Sequence, residues 1–234
     1  MREKTSIILL PGLLCDDALW AHQIAALSDI ADATVADLTT ADSMAGLAEN
    51  VLAHAPQKFA LAGLSMGGYV AQEIVRQAPE RVTHLAFLDT NARADTPEQS
   101  ENRKRMIAIA EAGKFDTVAP EMLPNLIHPD HLAIPEIADA FAQMAKRTGK
   151  DAYVRQQTAI MNRVDGRPYL SEIECPTLVL CGEQDALTPL KVHEEMVEGI
   201  GDNAALVVVP HCGHLSTIEQ PDAVNAVMRA WLGR

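Results

Sequence analysis

The stretch Leu61-Ala62-Gly63-Leu64-Ser65-Met66-Gly67-Gly68-Tyr69 constrains this chain more than any other. Before it, Lys58-Phe59-Ala60-Leu61-Ala62 reads as a buried strand, and after it apolar residues recur at helical spacing as far as Val75. A strand that turns at once into a helix forces its apex residue into a strained backbone conformation. Gly63 and Gly67, on either side of Ser65, lack the Cβ atoms that would collide with strand and helix. The serine hydroxyl is then lifted clear of the sheet, beside a helix N-terminus whose free N–H groups favour a developing anion. Gly-x-Ser-x-Gly in this setting reads as a nucleophile elbow. The alternative is a tight Gly-rich turn with an incidental serine.

Around this stretch the chain alternates strands and helices. Ser6–Leu10 is an apolar run suited to a strand buried on both faces, and Pro11-Gly12-Leu13-Leu14 turns off its end. Ala18–Leu27 reads as a helix capped by Asp16 or Asp17, and Thr34–Leu38 as a second strand. Asp42 or Ser43 caps a helix to about His54, the helix after the elbow stops at Pro79, and Val82–Leu88 is a fourth strand ending at Asp89. From about Asn91 to Leu170 no strand-like run occurs. The spacing there predicts helices over roughly Glu98–Ala112, Phe115–Leu126, Pro135–Thr148 and Asp151–Asn162. Alternation then resumes with a strand over Pro176–Cys181, a helix begun by Pro189, a strand over Ala205–Val209 and a last helix over Asp222–Leu232.

Six buried strands alternating with helices predict an α/β, doubly wound, mainly parallel sheet with a helical insertion after the fourth strand. Residues 1–90 and 171–234 would form the core. Residues 91–170 would form a lid over the strand carboxyl ends, where open α/β sheets place their ligands.

At 234 residues the chain suffices for one large domain. A net charge of −13 argues against nucleic acid and against anionic membrane surfaces as partners. Residues 92–170 hold eleven basic and eleven acidic residues, so the rest of the chain carries the whole excess. Arg103-Lys104-Arg105 is the one dense basic cluster, either a solvated helix face or a contact for an acidic substrate or carrier. Cys15, Cys175, Cys181 and Cys212 show no paired spacing and read as reduced thiols of a cytoplasmic protein. Arg2 and Lys4 before Ile7–Leu14 loosely imitate a signal peptide, but the apolar run is short and broken by Pro11-Gly12. No apolar stretch approaches the length of a membrane span.

A serine hydroxyl needs a general base, itself oriented by a third group. In elbow-type folds the order is Ser, then Asp or Glu, then His, each just past a strand. Gly182–Pro189 follows the fifth strand and offers Asp185, with Glu183 nearer the strand. His211-Cys212-Gly213-His214 follows the sixth and offers His214. Asp89, at the end of the fourth strand, is an alternative acid. His211, Cys212 and His214 lack a fourth ligand at recognisable spacing, which argues against a metal site.

Over essentially its whole length the chain resembles the α/β-hydrolase superfamily, serine carboxylesterases, biotin-pathway methyl esterases and enol-lactonases among them. The elbow, a Gly-x-x-Asp-x-x-x-Pro turn at Gly182–Pro189 and a Gly-His turn at Gly213-His214 carry the resemblance. It implies a Ser65, Asp185, His214 triad and oxyanion donors from the backbone N–H groups of Met66 and Leu13. The usual His-Gly of the second loop is here Pro11-Gly12. Cys15, near that loop, reads as a small apolar wall residue. No metal or organic cofactor is needed.

A serine at the elbow disfavours the dehalogenase and epoxide-hydrolase chemistries of the family, which use aspartate. The expected substrate is a small or medium carboxylic ester. Leu14, Met106, Met122, Leu126, Met144 and Met161 are candidates to line its pocket, or else lie in the lid's own core. A lactonase, a carbon–carbon bond hydrolase, a perhydrolase and a ligand-binding protein on the same fold are the alternatives. The sequence leaves oligomeric state open.

Overall fold

The structure, a computed structural model, describes residues 4–233, so Arg2 of the N-terminal pattern lies outside the described residues. Six parallel strands form one sheet: β1 Thr5–Leu10, β2 Ala31–Val35, β3 Phe59–Leu64, β4 Val82–Leu88, β5 Thr177–Gly182 and β6 Ala204–Val209. Their order is β2-β1-β3-β4-β5-β6. The chain leaves β1 toward one edge, then returns to place β3 on the other side of β1. This is the point at which a doubly wound sheet opens a crevice at its carboxyl ends. The loop after β1 and the elbow after β3 are therefore neighbours.

Alternate residues of each strand feed opposite faces. Ile7 and Leu9 join a core with Trp20, Leu27, Val224, Met228 and Trp231, under α1 (Ala21–Leu27) and α9 (Pro221–Leu232). Ile8 and Leu10 join a second core with Leu47, Val51, Val70, Ile74 and Met196. The helices on that face are α2 (Met44–His54), α3 (Met66–Gln77) and α7 (Leu190–Ile200). A short α8, Ser216–Glu219, precedes α9.

Between β4 and β5 the chain is helical, with α4 Pro97–Ile109, α5 Val118–Leu126 and α6 Pro135–Met161. Thr96 and Gln99 form a capping box at the start of α4. The two helices expected over 135–162 are one element broken at Gly149, whose φ of 79° and ψ of 167° are non-helical. The helix expected to reach Ala112 gives way at Ala110 to a wider turn, in which Gly113 has φ 82°. Among the described residues no helix is long and apolar enough to cross a membrane.

Two further boundaries move. The second strand is Ala31–Val35, not Thr34–Leu38, because pairing with β1 sets its register from Thr5↔Ala31 to Leu9↔Val35. Leu38 is buried, but in the loop beyond, where its carbonyl accepts from Gln156 Nε2 at 3.1 Å. Pro189 caps α7 with an extended ψ of 158° and does not occupy its first turn.

The tightest packing in the fold lies at the elbow. A Cβ on Gly67 would fall on the carbonyl of Leu10, and one on Gly63 on the backbone of Gly67. Gly67→Ala is expected to destabilise the protein by about 1–3 kcal/mol or more, the cost of overpacking a rigid contact. Denaturant unfolding measures it, and an unchanged midpoint would show that β1 and α3 can part without cost.

Candidate active site

Ser65 has φ 54° and ψ −113°, a strained conformation for a residue with a Cβ. Its neighbours over-determine it. Its N–H donates to Leu88 O at 3.0 Å, and its carbonyl accepts from Gly68 N at 2.9 Å and from Thr90 Oγ1 at 2.8 Å. Thr90 is held in turn, because its N–H donates to His193 Nε2 at 3.0 Å. Burial pushes His193 down to about 4, so it stays neutral and able to accept.

The turns after β5 and β6 bring Asp185 and His214 to the serine. His214 Nε2 lies 2.8 Å from Ser65 Oγ, and His214 Nδ1 lies 2.8 Å from Asp185 Oδ2. Asp185 closes an Asx-type turn, its Oδ1 accepting from the N–H groups of Leu187 and Thr188 at 2.9 Å. The Thr188 hydroxyl donates to its Oδ2 at 2.6 Å. Burial works against both charged forms, but their mutual attraction wins. Asp185 is held below the usual carboxylate value and His214 is lifted above the usual histidine value. Hydroxyl, imidazole and carboxylate thus stand in line, so that the imidazole can take the hydroxyl proton.

The other candidates are placed elsewhere. Glu183 is exposed. Asp89 is fully buried, but it accepts from Gly182 N at 2.9 Å and Ser216 N at 3.2 Å and tethers strand ends instead of His214. Burial, with the Asp185 carboxylate nearby, pushes Asp89 up to about 8, so at neutral pH it keeps its proton. His211 is exposed with φ 49°, its ring 5.7 Å from that of His128. Burial, reinforced by neighbouring carboxylates, raises the Cys212 thiol. The Cys15 thiol is pushed up to about 12 by burial and then by Asp16, so it stays protonated as a wall residue would.

Leu13 and Met66 lie at the two loops that the strand crossover makes adjacent. Among the described residues neither backbone N–H has a partner, that of Met66 being the first of α3. Leu14, with φ 60°, turns the loop, and its N–H donates to Gln156 Oε1 of α6 at 3.1 Å.

Three contributors escaped the sequence reading. Thr188 carried a local signal, a hydroxyl three residues after an Asp in a turn. Gln156 and Glu219 carried none, since they act on distant segments. The carboxylate of Glu219, wholly shielded from solvent, accepts from Gly213 N and Leu215 N, at 3.1 Å each, on both sides of His214. It also accepts from His128 N at 2.7 Å and lies 2.8 Å from His131 Nδ1. Glu219→Gln turns one of these acceptor oxygens into a donor facing other N–H groups. It is expected to cost about 1–3 kcal/mol of stability, the price of leaving buried donors unpaired. A denaturant midpoint equal to wild type would remove Glu219 from this role.

A cavity of about 340 Å³ opens on Ser65 and His214. Of the apolar candidates, Met106, Met122 and Leu126 line it. Leu14, Met144 and Met161 do not. Leu14 and Met144 are fully buried in the core, Leu14 by the left-handed turn and Met144 on the inner face of α6. Met161 ends α6 one position after the cavity-lining Ile160, and a step of about 100° takes it off that face.

A family model described as "Alpha/beta hydrolase family" matches residues 7–227. A thermophilic esterase from Thermogutta terrifontis, solved with malate bound, is 30% identical with a TM-score of 0.89, over 97% of this chain and 89% of that one. The enol-lactonase of Burkholderia xenovorans LB400 is 24% identical with a TM-score of 0.90, over 99% and 92%. A Shigella flexneri protein named as a candidate carbamate hydrolase, RutD, is 24% identical over 95% of this chain and 89% of its own. The chain belongs to the alpha/beta hydrolase family and is a hydrolase.

Proposed function

We propose that the protein hydrolyses small to medium carboxylic esters through an acyl-enzyme on Ser65. The observation that carries this reading is the pair of 2.8 Å contacts joining Ser65 Oγ, His214 and Asp185 at a cavity. Ser65 Oγ attacks the ester carbonyl and passes its proton to His214 Nε2, while Asp185 holds the imidazole in the tautomer with Nδ1 protonated. The backbone N–H groups of Leu13 and Met66 stabilise the tetrahedral anion. His214 returns the proton to the leaving alcohol, then takes one from the water that attacks the acyl-enzyme, and Ser65 is released with the acid. Residues 91–170 act as a lid on a core made of 1–90 and 171–234, since α4, α5 and α6 wall the cavity above Ser65.

The esterase 30% identical to this chain supports an ester substrate, and the malate in that structure belongs to that protein. A lactone, a carbon–carbon bond or a peracid reaction would use the same three groups. A matched panel of linear esters, lactones and diketones ranks them, and tight binding without turnover would mark a ligand-binding protein.

With a short-chain p-nitrophenyl ester, Ser65→Ala is expected to lose activity by several orders of magnitude, and Asp185→Asn about 10⁴-fold in kcat. Equal rates for wild type and Ser65→Ala would end the esterase reading for that substrate class. The base works only when unprotonated, and Asp185 lifts His214 above the ordinary 6.5. The kcat/KM of wild type should therefore climb with pH through a midpoint above 6.5. A midpoint below 6.5 would contradict the pairing.

A further inference from the structure

The wall of the Ser65 cavity is more positive than its surroundings. Arg103, Arg105 and Arg163 line it and Glu121 is its one acidic side chain, in a chain of net charge −13. Asp95 stands behind the wall with its side chain 1% exposed and takes two guanidinium groups at once. Arg103 Nε donates to Oδ2 and Arg163 Nη1 to Oδ1, both at 2.5 Å. Three arginines against Glu121 and Asp95 leave one positive charge in excess. Asp185 does not offset it within the cavity, being placed behind His214 and outside the lining.

Both guanidiniums are held in place. Gln157 Oε1 accepts from Arg103 Nη1 at 2.7 Å, and Gln157 Nε2 donates to the Tyr153 hydroxyl at 2.8 Å. Arg163 is only 6% exposed. Its Nε donates to Arg93 O at 2.9 Å, its Nη1 also to Ile160 O at 2.9 Å, and its plane lies over the Tyr69 ring with 4.2 Å to the centroid. Arg163 Nη2 has no partner among the described residues, and the Arg103 Nη2 bond to Asp95 is long at 3.4 Å. One carboxylate cannot neutralise two guanidiniums, so the pair keeps a net positive charge that an entering counter-charge would offset. Rigidly presented guanidinium edges suit the paired oxygens of a carboxylate.

We infer that the substrate is a monoester of a short dicarboxylic acid, its free carboxylate received by Arg103 and Arg163 while its ester carbonyl meets Ser65. The inference rests on the ester-hydrolase reading above. The charge belongs on the acyl side, because only the acyl part stays in the cavity through both acylation and deacylation. Anchoring it positions the carbonyl for each step. The alcohol leaves after the first step, and the final product is a dicarboxylate.

The test compares monoethyl glutarate with diethyl glutarate, and in parallel the binding of glutarate and its monoamide to wild-type protein by calorimetry. The monoanion is expected to be favoured by about 10- to 100-fold in kcat/KM, the worth of a hydrogen bond to a charged group. That ratio should shrink in Arg103→Gln and in Arg163→Gln, and glutarate should bind more tightly than the monoamide. Ser65-dependent turnover of both esters with no preference for the monoanion would overturn this inference and leave the esterase standing. No Ser65-dependent turnover, with glutarate still preferred over the monoamide, would overturn the esterase and keep the anion site. Equal binding of glutarate and monoamide without turnover would overturn both. The binding comparison needs no variant, so a poorly folding arginine mutant leaves the test intact.

Discussion

Close approach of bare backbone at the carboxyl end of the sheet governs the whole arrangement. The chain between β3 and α3 presses on the end of β1 so closely that Gly67 has no room for a Cβ beside Leu10. The same crowding recurs across the sheet. A Cβ on Gly182 would fall on the Gly213 carbonyl, and one on Gly213 would lie 2.7 Å from the backbone of Ile127 and His128. The glycine beside His214 is therefore explained by packing, since the helical segment descends onto it. His214 N donates to Leu126 O at 2.8 Å in the same place. Ser65, Asp185 and His214 come from three strand ends, and what aligns them to hydrogen-bond distance is this layer of backbone contacts.

Electrostatics then divides two neighbouring buried acids, Asp185 and Asp89. Asp185 is paired with an imidazole, a hydroxyl and two backbone N–H groups, and it holds its charge. Asp89 has two backbone donors and no cation in contact, so burial and the neighbouring Asp185 charge keep it protonated up to about pH 8. Two carboxylates this close cannot both ionise cheaply, and their partners decide which one does. Asp89 is left to tie β4 to β5 and to α8.

What could be read from the sequence was what the backbone decides locally. Strand, serine flanked by glycines and helix occupy consecutive residues, and the Gly182–Pro189 and Gly213-His214 turns follow their strands directly. Each could be read in isolation, as could the six strands, which the sheet reproduces apart from the slipped edge strand β2. Helix faces were less accessible. Met106 and Met144 both sit on helices between β4 and β5, yet of the two only Met106 reaches the cavity, because the rotation of each helix is set by its neighbours. Least visible were polar contacts across the chain, such as Leu14 with Gln156, 142 residues apart, and His128 with Glu219, 91 apart. A single Gln or Glu has no periodicity to announce it.

Those long-range contacts also show what the helical segment does for the sheet. Through Gln156 it grips the loop that carries Leu13 and Leu14, and through Leu126 and His128 it grips the turn that carries His214. A segment that merely covered the cavity would need neither contact. Its two grips fall on the loop that carries Leu13 and on the turn that carries His214, both at the Ser65 cavity. Any displacement of α6 or of the residues around 126–128 must therefore loosen one or the other. The inserted segment and the two loops at the Ser65 cavity are thus tied together, and the arginine clamp on Asp95, which joins the start of the segment to α4 and to Arg163, two residues beyond the end of α6, is a third point that holds it.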